Sequence, residues 1–131
     1  ENLSFAMADI DYFKAINDGY SHLIGDEVLR VVGCLIRHGM RSGDMAARIG
    51  GEEFALVFDR SHEKAAMDAC ERLRVTIQTY DWSGLAQGLQ VTLSFGLSHV
   101  LPGDDLTSMM SRADKALYRA KHFGRNRVEK N

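Results

Sequence analysis

The sequence lacks any apolar run near the roughly 20 residues that a helix needs to cross a bilayer, so no membrane-spanning helix is expected in it. Its start carries no basic stretch followed by a short apolar core and a cleavage site, so no secretory signal is read there. Cysteine is scarce. Cys34 and Cys70 are the only two, and each falls on the apolar face of a predicted helix, the setting of a buried inert thiol rather than of a redox or metal ligand. That usage fits a reducing cytoplasm. The five histidines, at positions 22, 38, 62, 99 and 122, stand singly without zinc-ligand spacing. Excess charge is missing too: the formal net charge is −2 and the pI about 6.2. This argues against a broad electrostatic grip on polymeric nucleic acid. A small phosphorylated ligand, which needs only a few local cations, stays open. Internal repeats and low-complexity tracts are absent.

What is there is ordinary globular material. The 131 residues are 45% hydrophobic and 26% charged, enough for one domain with a sizeable core. The chain opens directly on an apolar, strand-like segment and reads as a piece of a longer protein. Leu3 to Ala8 predicts a short buried strand, bounded by Asp9-Ile10-Asp11, and residues 12 to 18 a short helical turn. Apolar residues at 24, 28, 31, 32, 35 and 36 predict an amphipathic helix that Gly39 and Gly43 end. Met45 to Ile49 and Phe54 to Phe58 predict a β-hairpin around Gly50-Gly51, where glycine would supply the positive φ of a tight turn. A second helix carries apolar positions 66, 69, 70, 73 and 77, followed by a glycine-rich loop over 80 to 90. Val91, Leu93, Phe95 and Leu97 alternate with small residues, the period of a strand with one face buried. Asp104 or Asp105 can cap a third helix with its core face at 106, 109, 110, 113, 117 and 120. Gly124 ends it, and 126 to 128 can add an edge strand. The order predicts an α+β sandwich, its mostly antiparallel central sheet flanked by helices.

Carboxylates supply the first chemical clue. Asp9 ends the first strand, and Glu52 and Glu53 sit at the predicted hairpin tip. If the two strands are neighbours, three carboxylates converge, and such a cluster repels itself unless an oxygen-loving cation such as Mg²⁺ or Mn²⁺ is present. The same acids could equally solvate two loop tips. Lys14, Lys121 and Arg125 stand near segment ends, as surface charges or as phosphate ligands. Asn17 and Asp26 could read a nucleobase edge, or cap a helix and face water.

Taken in order, the segments say more. Asp9-Ile10-Asp11-Tyr12-Phe13-Lys14-Ala15-Ile16-Asn17-Asp18 is followed by His22 and Gly25-Asp26, then by Arg48-Ile49-Gly50-Gly51-Glu52-Glu53-Phe54. Later come Val91-Thr92-Leu93-Ser94-Phe95-Gly96, then Ala113-Asp114-Lys115-Ala116-Leu117-Tyr118-Arg119-Ala120-Lys121 and Gly124-Arg125-Asn126-Arg127. Over nearly its whole length this chain resembles the GGDEF-domain diguanylate cyclases, in a variant with glutamate in the third hairpin position.

The resemblance implies a fold like adenylyl cyclase catalytic domains and polymerase palms. It also implies a cytoplasmic domain of residues 1–131 that condenses two GTP into cyclic di-GMP with release of two pyrophosphates. In the family, two subunits face each other, each with one GTP, so a homodimer is implied, with no polymeric nucleic acid and no membrane contact from this domain. Asp9, the backbone carbonyl of Ile10 and Glu52 are the implied ligands of two Mg²⁺ (or Mn²⁺) ions per half-site. Glu52 is also the implied acceptor of the 3′-hydroxyl proton, with Glu53 assisting. Lys14 would neutralise the departing pyrophosphate beside the backbone of Phe13, and Lys121 and Arg125 would hold the terminal phosphates. Asn17 and Asp26 match guanine-reading positions, His22 lies on the ribose side, and Gly50 and Gly51 leave room for the nucleotide. Arg41-Ser42-Gly43-Asp44 fits the family's inhibitory product site, with Arg72 or Arg74 as a further contact. Two departures stand out: Ser21 replaces a usual glycine before the histidine, and the family's upstream helix and wide turn are absent from this sequence. A relative that senses GTP or cyclic di-GMP without turnover is the alternative, though such relatives usually show a decayed hairpin.

Overall fold

The computed structural model describes residues 2–131. Five strands form one sheet: β1 (Leu3–Ile10), β2 (Met45–Arg48), β3 (Glu53–Asp59), β4 (Leu93–His99) and β5 (Val128–Lys130). Their order is β2-β3-β1-β4-β5, antiparallel except for the parallel pair β4–β5. Four helices cover it: α1 (Phe13–Gly19), α2 (His22–Gly39), α3 (Glu63–Thr79) and α4 (Leu106–His122). The mixed, mostly antiparallel architecture expected from the sequence is the one observed.

Central strand β1 is buried on both faces, and its alternation sorts two cores. Ala6, Ala8 and Ile10 join Phe54, Leu56, Phe58, Leu93, Phe95 and Leu97 beneath α2 and α3. Phe5 and Met7 point the other way, into Met109, Ala113 and Leu117 of α4. Each large side chain so buried contributes about 1.5–3 kcal/mol. Asp9, two residues beyond Met7, therefore faces the α4 side, and β1 runs on through it to Ile10 rather than stopping at Ala8.

Strand β4 departs from the expected one-faced burial: Ser94, Gly96 and Ser98 are as buried as Leu93, Phe95 and Leu97. These small residues let α4 lie directly on the strand. A methyl group on Gly96 would sit 2.1 Å from the Ala113 carbonyl oxygen and 2.2 Å from the Leu117 amide nitrogen. Alternation of size, with serine and glycine opposite large apolar residues, reads like alternation of exposure, which is why the sequence misleads here.

Helix ends follow local chemistry. The Ser21 hydroxyl accepts from Ile24 N–H at 3.1 Å and caps α2, so serine in place of glycine supplies a bond there. Asp105 caps α4 in a reciprocal box with Ser108. Leu106, expected in the core, is 61% exposed, being displaced into the first turn of α4. The final strand lies at 128–130, two residues later than expected. The 80–90 loop is not bare: Trp82 is buried in it, donating its indole N–H to the Ile77 carbonyl at 2.8 Å. Burial pushes the Cys70 thiol well above its ordinary value, as an inert core thiol requires, whereas Cys34 is half-buried beside Arg37.

Candidate active site

The sheet order makes β1 and β3 neighbours, which sets Asp9 beside Glu53. Register pairs Asp9 with Glu53, and Ile10 N–H donates to the Glu52 carbonyl at 3.1 Å, fixing Glu52 one step past the strand pair. Asp9 is 5% exposed. Its Oδ2 is bonded to Lys121 Nζ from α4, while Oδ1 is buried with no hydrogen-bond partner. An orphaned buried acceptor costs about 1–3 kcal/mol, more when charged, so this oxygen is poised for a cation. The donors are all oxygen: Asp9, Glu52 and the nearby Ile10 main chain, the set a hard divalent ion accepts. Among the described residues no three acidic, histidine or cysteine side chains close a metal cage. That suits an ion held by one or two carboxylates and completed by substrate phosphates.

The glycine pair needs a revised account. Neither Gly50 nor Gly51 adopts positive φ, so the expected conformational reason fails. Glu53 folds back over Gly50, with Oε1, the movable end of that side chain, 2.8 Å from where a Cβ would stand. Gly51 faces open space. The turn is also tied by Arg48 Nε donating to the Gly50 carbonyl at 3.1 Å, a contact the sequence did not announce.

On the α1–α2 side, Gly25 is buried and is kept bare by Asn17, whose Oδ1 lies 1.8 Å from a notional Cβ, and by the Phe13 ring. Asn17 is thus held, half-buried, beside the residue preceding Asp26, and His22 and Asp26 are exposed. Lys14 is exposed on α1 and pairs with Asp18 at 2.8 Å rather than entering the carboxylate cluster. Its hydrogen bond to Asp18 raises the lysine pKa and lowers that of the carboxyl, in a pair solvent screens strongly.

Arg125 is set by the turn after α4. It takes a left-handed backbone (φ 66°), as does Asn126 (φ 46°), and its guanidinium lies 4.6 Å from the centre of the Tyr12 ring. The sequence reading passed over Asp11, yet it is 3% exposed and bonded by Thr92, Ser94 and the Asn126 N–H. Its signal was the Asp9-x-Asp11 spacing, which puts both acids on one side of β1.

A separate cavity of about 250 Å³ gathers Arg41, Asp44 and Arg72 with Ser61 and Asp68. Asp44, its side chain 3% exposed, accepts from the Arg41 N–H at 3.1 Å, and the Arg41 guanidinium bonds Ser61. Arg74, the other candidate for this group, points elsewhere and bonds Glu71, Gln78 and Asn126.

With this geometry in hand, comparison is decisive. The family described as "Diguanylate cyclase, GGDEF domain" matches residues 1–127. The chain belongs to the GGDEF-domain family. It is 40% identical over 131 residues to diguanylate cyclase VdcA of Vibrio cholerae and 43% identical over 129 residues to diguanylate cyclase A of Treponema denticola, covering 98% of this chain in each case. It spans only 39% and 35% of those relatives. Among solved structures, the active GGEEF domain of a Vibrio cholerae diguanylate cyclase superposes with a TM-score of 0.93 at 35% identity, over 99% of this chain and 83% of that one. The GGDEF domain of DgcB from Caulobacter crescentus, solved with c-di-GMP, gives 0.92 at 37% identity, over 98% and 77%. Among the described residues, no helix of this GGDEF domain is long and apolar enough to cross a membrane.

Proposed function

We propose that this GGDEF domain is one half-site of a diguanylate cyclase, joining two GTP into cyclic di-GMP and releasing two pyrophosphates. The observation that carries this is the buried, unpartnered Asp9 oxygen beside Glu52, with Lys121 at its other oxygen. Asp9, the Ile10 carbonyl and Glu52 would hold Mg²⁺ or Mn²⁺, two ions per half-site. Bound there, the metals would lower the pKa of the attacking hydroxyl and offset charge developing on the α-phosphate. Glu52 accepts the 3′-hydroxyl proton as the oxygen attacks phosphorus and pyrophosphate leaves, and Glu53 supports it from the paired strand position. Lys121 and Arg125 bind terminal phosphates, Lys121 having donors to spare beyond Asp9. Lys14, free to swing away from Asp18 at little cost, adds charge near the leaving group.

Guanine is read by Asn17 and Asp26, since a carboxylate can accept from guanine N1–H and N2–H and adenine offers no such pair. His22 sits on the ribose side, the Phe13 backbone N–H lies with Lys14 near the departing phosphates, and Gly50 and Gly51 admit the nucleotide. One half-site lacks the second hydroxyl, so the partner subunit of a homodimer supplies it by proximity. The Arg41, Asp44 and Arg72 cavity is read as the product's inhibitory site, where arginine and carboxylate suit guanine and phosphate groups.

Residues 1–131 are read as a single catalytic domain. On the α4 side of β2 and β3 the sheet is not fully covered: Met45 is 68% exposed, and its partner Val57 is half-buried. That open apolar face suits an additional helix of the full-length protein. The test is incubation with Mg²⁺ and GTP, ATP or both, with products identified by mass. Cyclic di-GMP from GTP alone is expected. GTP bound without any dinucleotide would move the domain to the sensor class.

A further inference from the structure

Asp11 is fully engaged, and what it engages is the turn that carries Arg125. Its Oδ1 accepts from the Ser94 hydroxyl at 2.6 Å, and its Oδ2 accepts from the Thr92 hydroxyl at 2.7 Å and the Asn126 N–H at 3.0 Å. Asn126 is gripped from the other side as well, its Oδ1 accepting from Arg74 of α3 at 3.0 Å. Between these anchors the chain holds two consecutive left-handed residues, Arg125 and Asn126, a conformation that arginine seldom adopts unaided. Arg125 N–H returns to the Ala120 carbonyl at 2.9 Å, so the same anchor fixes the end of α4, where Lys121 meets Asp9. The hydroxyl donors can reorient, but the Asn126 N–H cannot. It needs an acceptor at that spot, and Asp11 supplies the shorter of two, at 3.0 Å against 3.2 Å to the Ser94 hydroxyl that Asp11 itself holds.

We infer that Asp11 is a positioning residue for triphosphate binding: its carboxylate locks the Arg125–Asn126 turn and thereby places Arg125 over Tyr12. This rests on the reading of Arg125 as a phosphate ligand. Asp11 itself touches no substrate in this scheme.

The test is steady-state kinetics with Mg²⁺ and GTP on Asp11→Ala, Asp11→Asn, Thr92→Val, Arg125→Ala and the Asp11→Ala/Arg125→Ala double variant, with thermal melting in parallel. Asp11→Ala is expected to raise KM about tenfold with a smaller change in kcat, as loss of uniform binding does. Asp11→Asn keeps an oxygen for the Asn126 N–H and is expected to stay within about threefold of the parent. Thr92→Val, isosteric and safe for folding, should raise KM about threefold by freeing one anchor. The double variant should be no worse than Arg125→Ala alone, the signature of two residues acting as one. An effect of Arg125→Ala that multiplies with that of Asp11→Ala overturns the proposal, as does an unchanged KM in Thr92→Val and Asp11→Ala. Arg125→Ala with parental KM overturns the phosphate role of Arg125, and this inference with it.

Discussion

At the scale of single residues, the centre of the account is an oxygen without a donor. Asp9 Oδ1 is buried and unpaired, and the next residue, Ile10, donates its N–H to the Glu52 carbonyl. Glu52→Gln keeps size and the main-chain tie but removes the charge proposed to bind metal and the proposed proton acceptor. Turnover is expected to fall at least about 100-fold while the melting temperature holds, measured by product formation and calorimetry. A variant that keeps parental turnover would remove Glu52 from the chemistry. In the second cavity, Arg41→Ala is expected to raise the cyclic di-GMP concentration needed for half-inhibition at least about tenfold, leaving uninhibited turnover intact. Unchanged inhibition would return Arg41 to a structural role with Asp44 and Ser61.

Single residues also mark where sequence reading succeeds and fails. Asp9 and Glu53 could be matched across one strand pair because strand pairing needs only periodicity and a hairpin. The backbone of Gly50 could not be read, because a turn glycine with ordinary φ looks in sequence like one placed for positive φ. Arg72 and Arg74 were indistinguishable on paper, being two residues apart on one helix. Packing sends Arg72 to the cavity and Arg74 to Asn126.

At the scale of elements, α4 and β4 form the joint on which the site depends, since α4 delivers Lys121 to Asp9. Gly96 is where the two backbones meet. Gly96→Ala should push α4 off the strand, costing about 1–3 kcal/mol in denaturant unfolding and weakening GTP binding as well. Unchanged stability would show that the helix can shift freely. The loop before α4 makes a second joint: Asp104 accepts from Arg112, Ser108 and the Leu101 N–H, and these hold its carboxyl well below the usual carboxylate range, the Arg112 bonds first. A depressed folded-state pKa adds stability above the unfolded value of about 3.9, and that stability is lost as pH falls through the folded-state value. Asp104→Asn should therefore melt lower than the parent at pH 7, and the gap should shrink progressively as pH falls below ~4. A gap independent of pH would assign the effect to packing. Elements were the most legible level: caps, helix periods and the hairpin were all written locally. The burial of both faces of β4 was not, because it depends on a helix that closes over Ser94, Gly96 and Ser98 from elsewhere in the chain.

At the scale of the whole molecule, the domain holds the parts for one nucleotide. In the function proposed, the metal donors, phosphate cations and base-reading groups are each present once among the described residues, on β1, the β2–β3 turn, helices α1, α2 and α4 and the turn after α4. A reaction that joins two nucleotides needs two such sets facing each other. The measurement that bears on this most directly is the initial rate of cyclic di-GMP formation from GTP and Mg²⁺ across a dilution series of the protein. The account predicts a rate that rises with the square of protein concentration when dilute and becomes linear once the dimer is saturated. A rate strictly proportional to protein down to concentrations at which the protein is monomeric, or no dinucleotide at any concentration of the full-length protein, would contradict it.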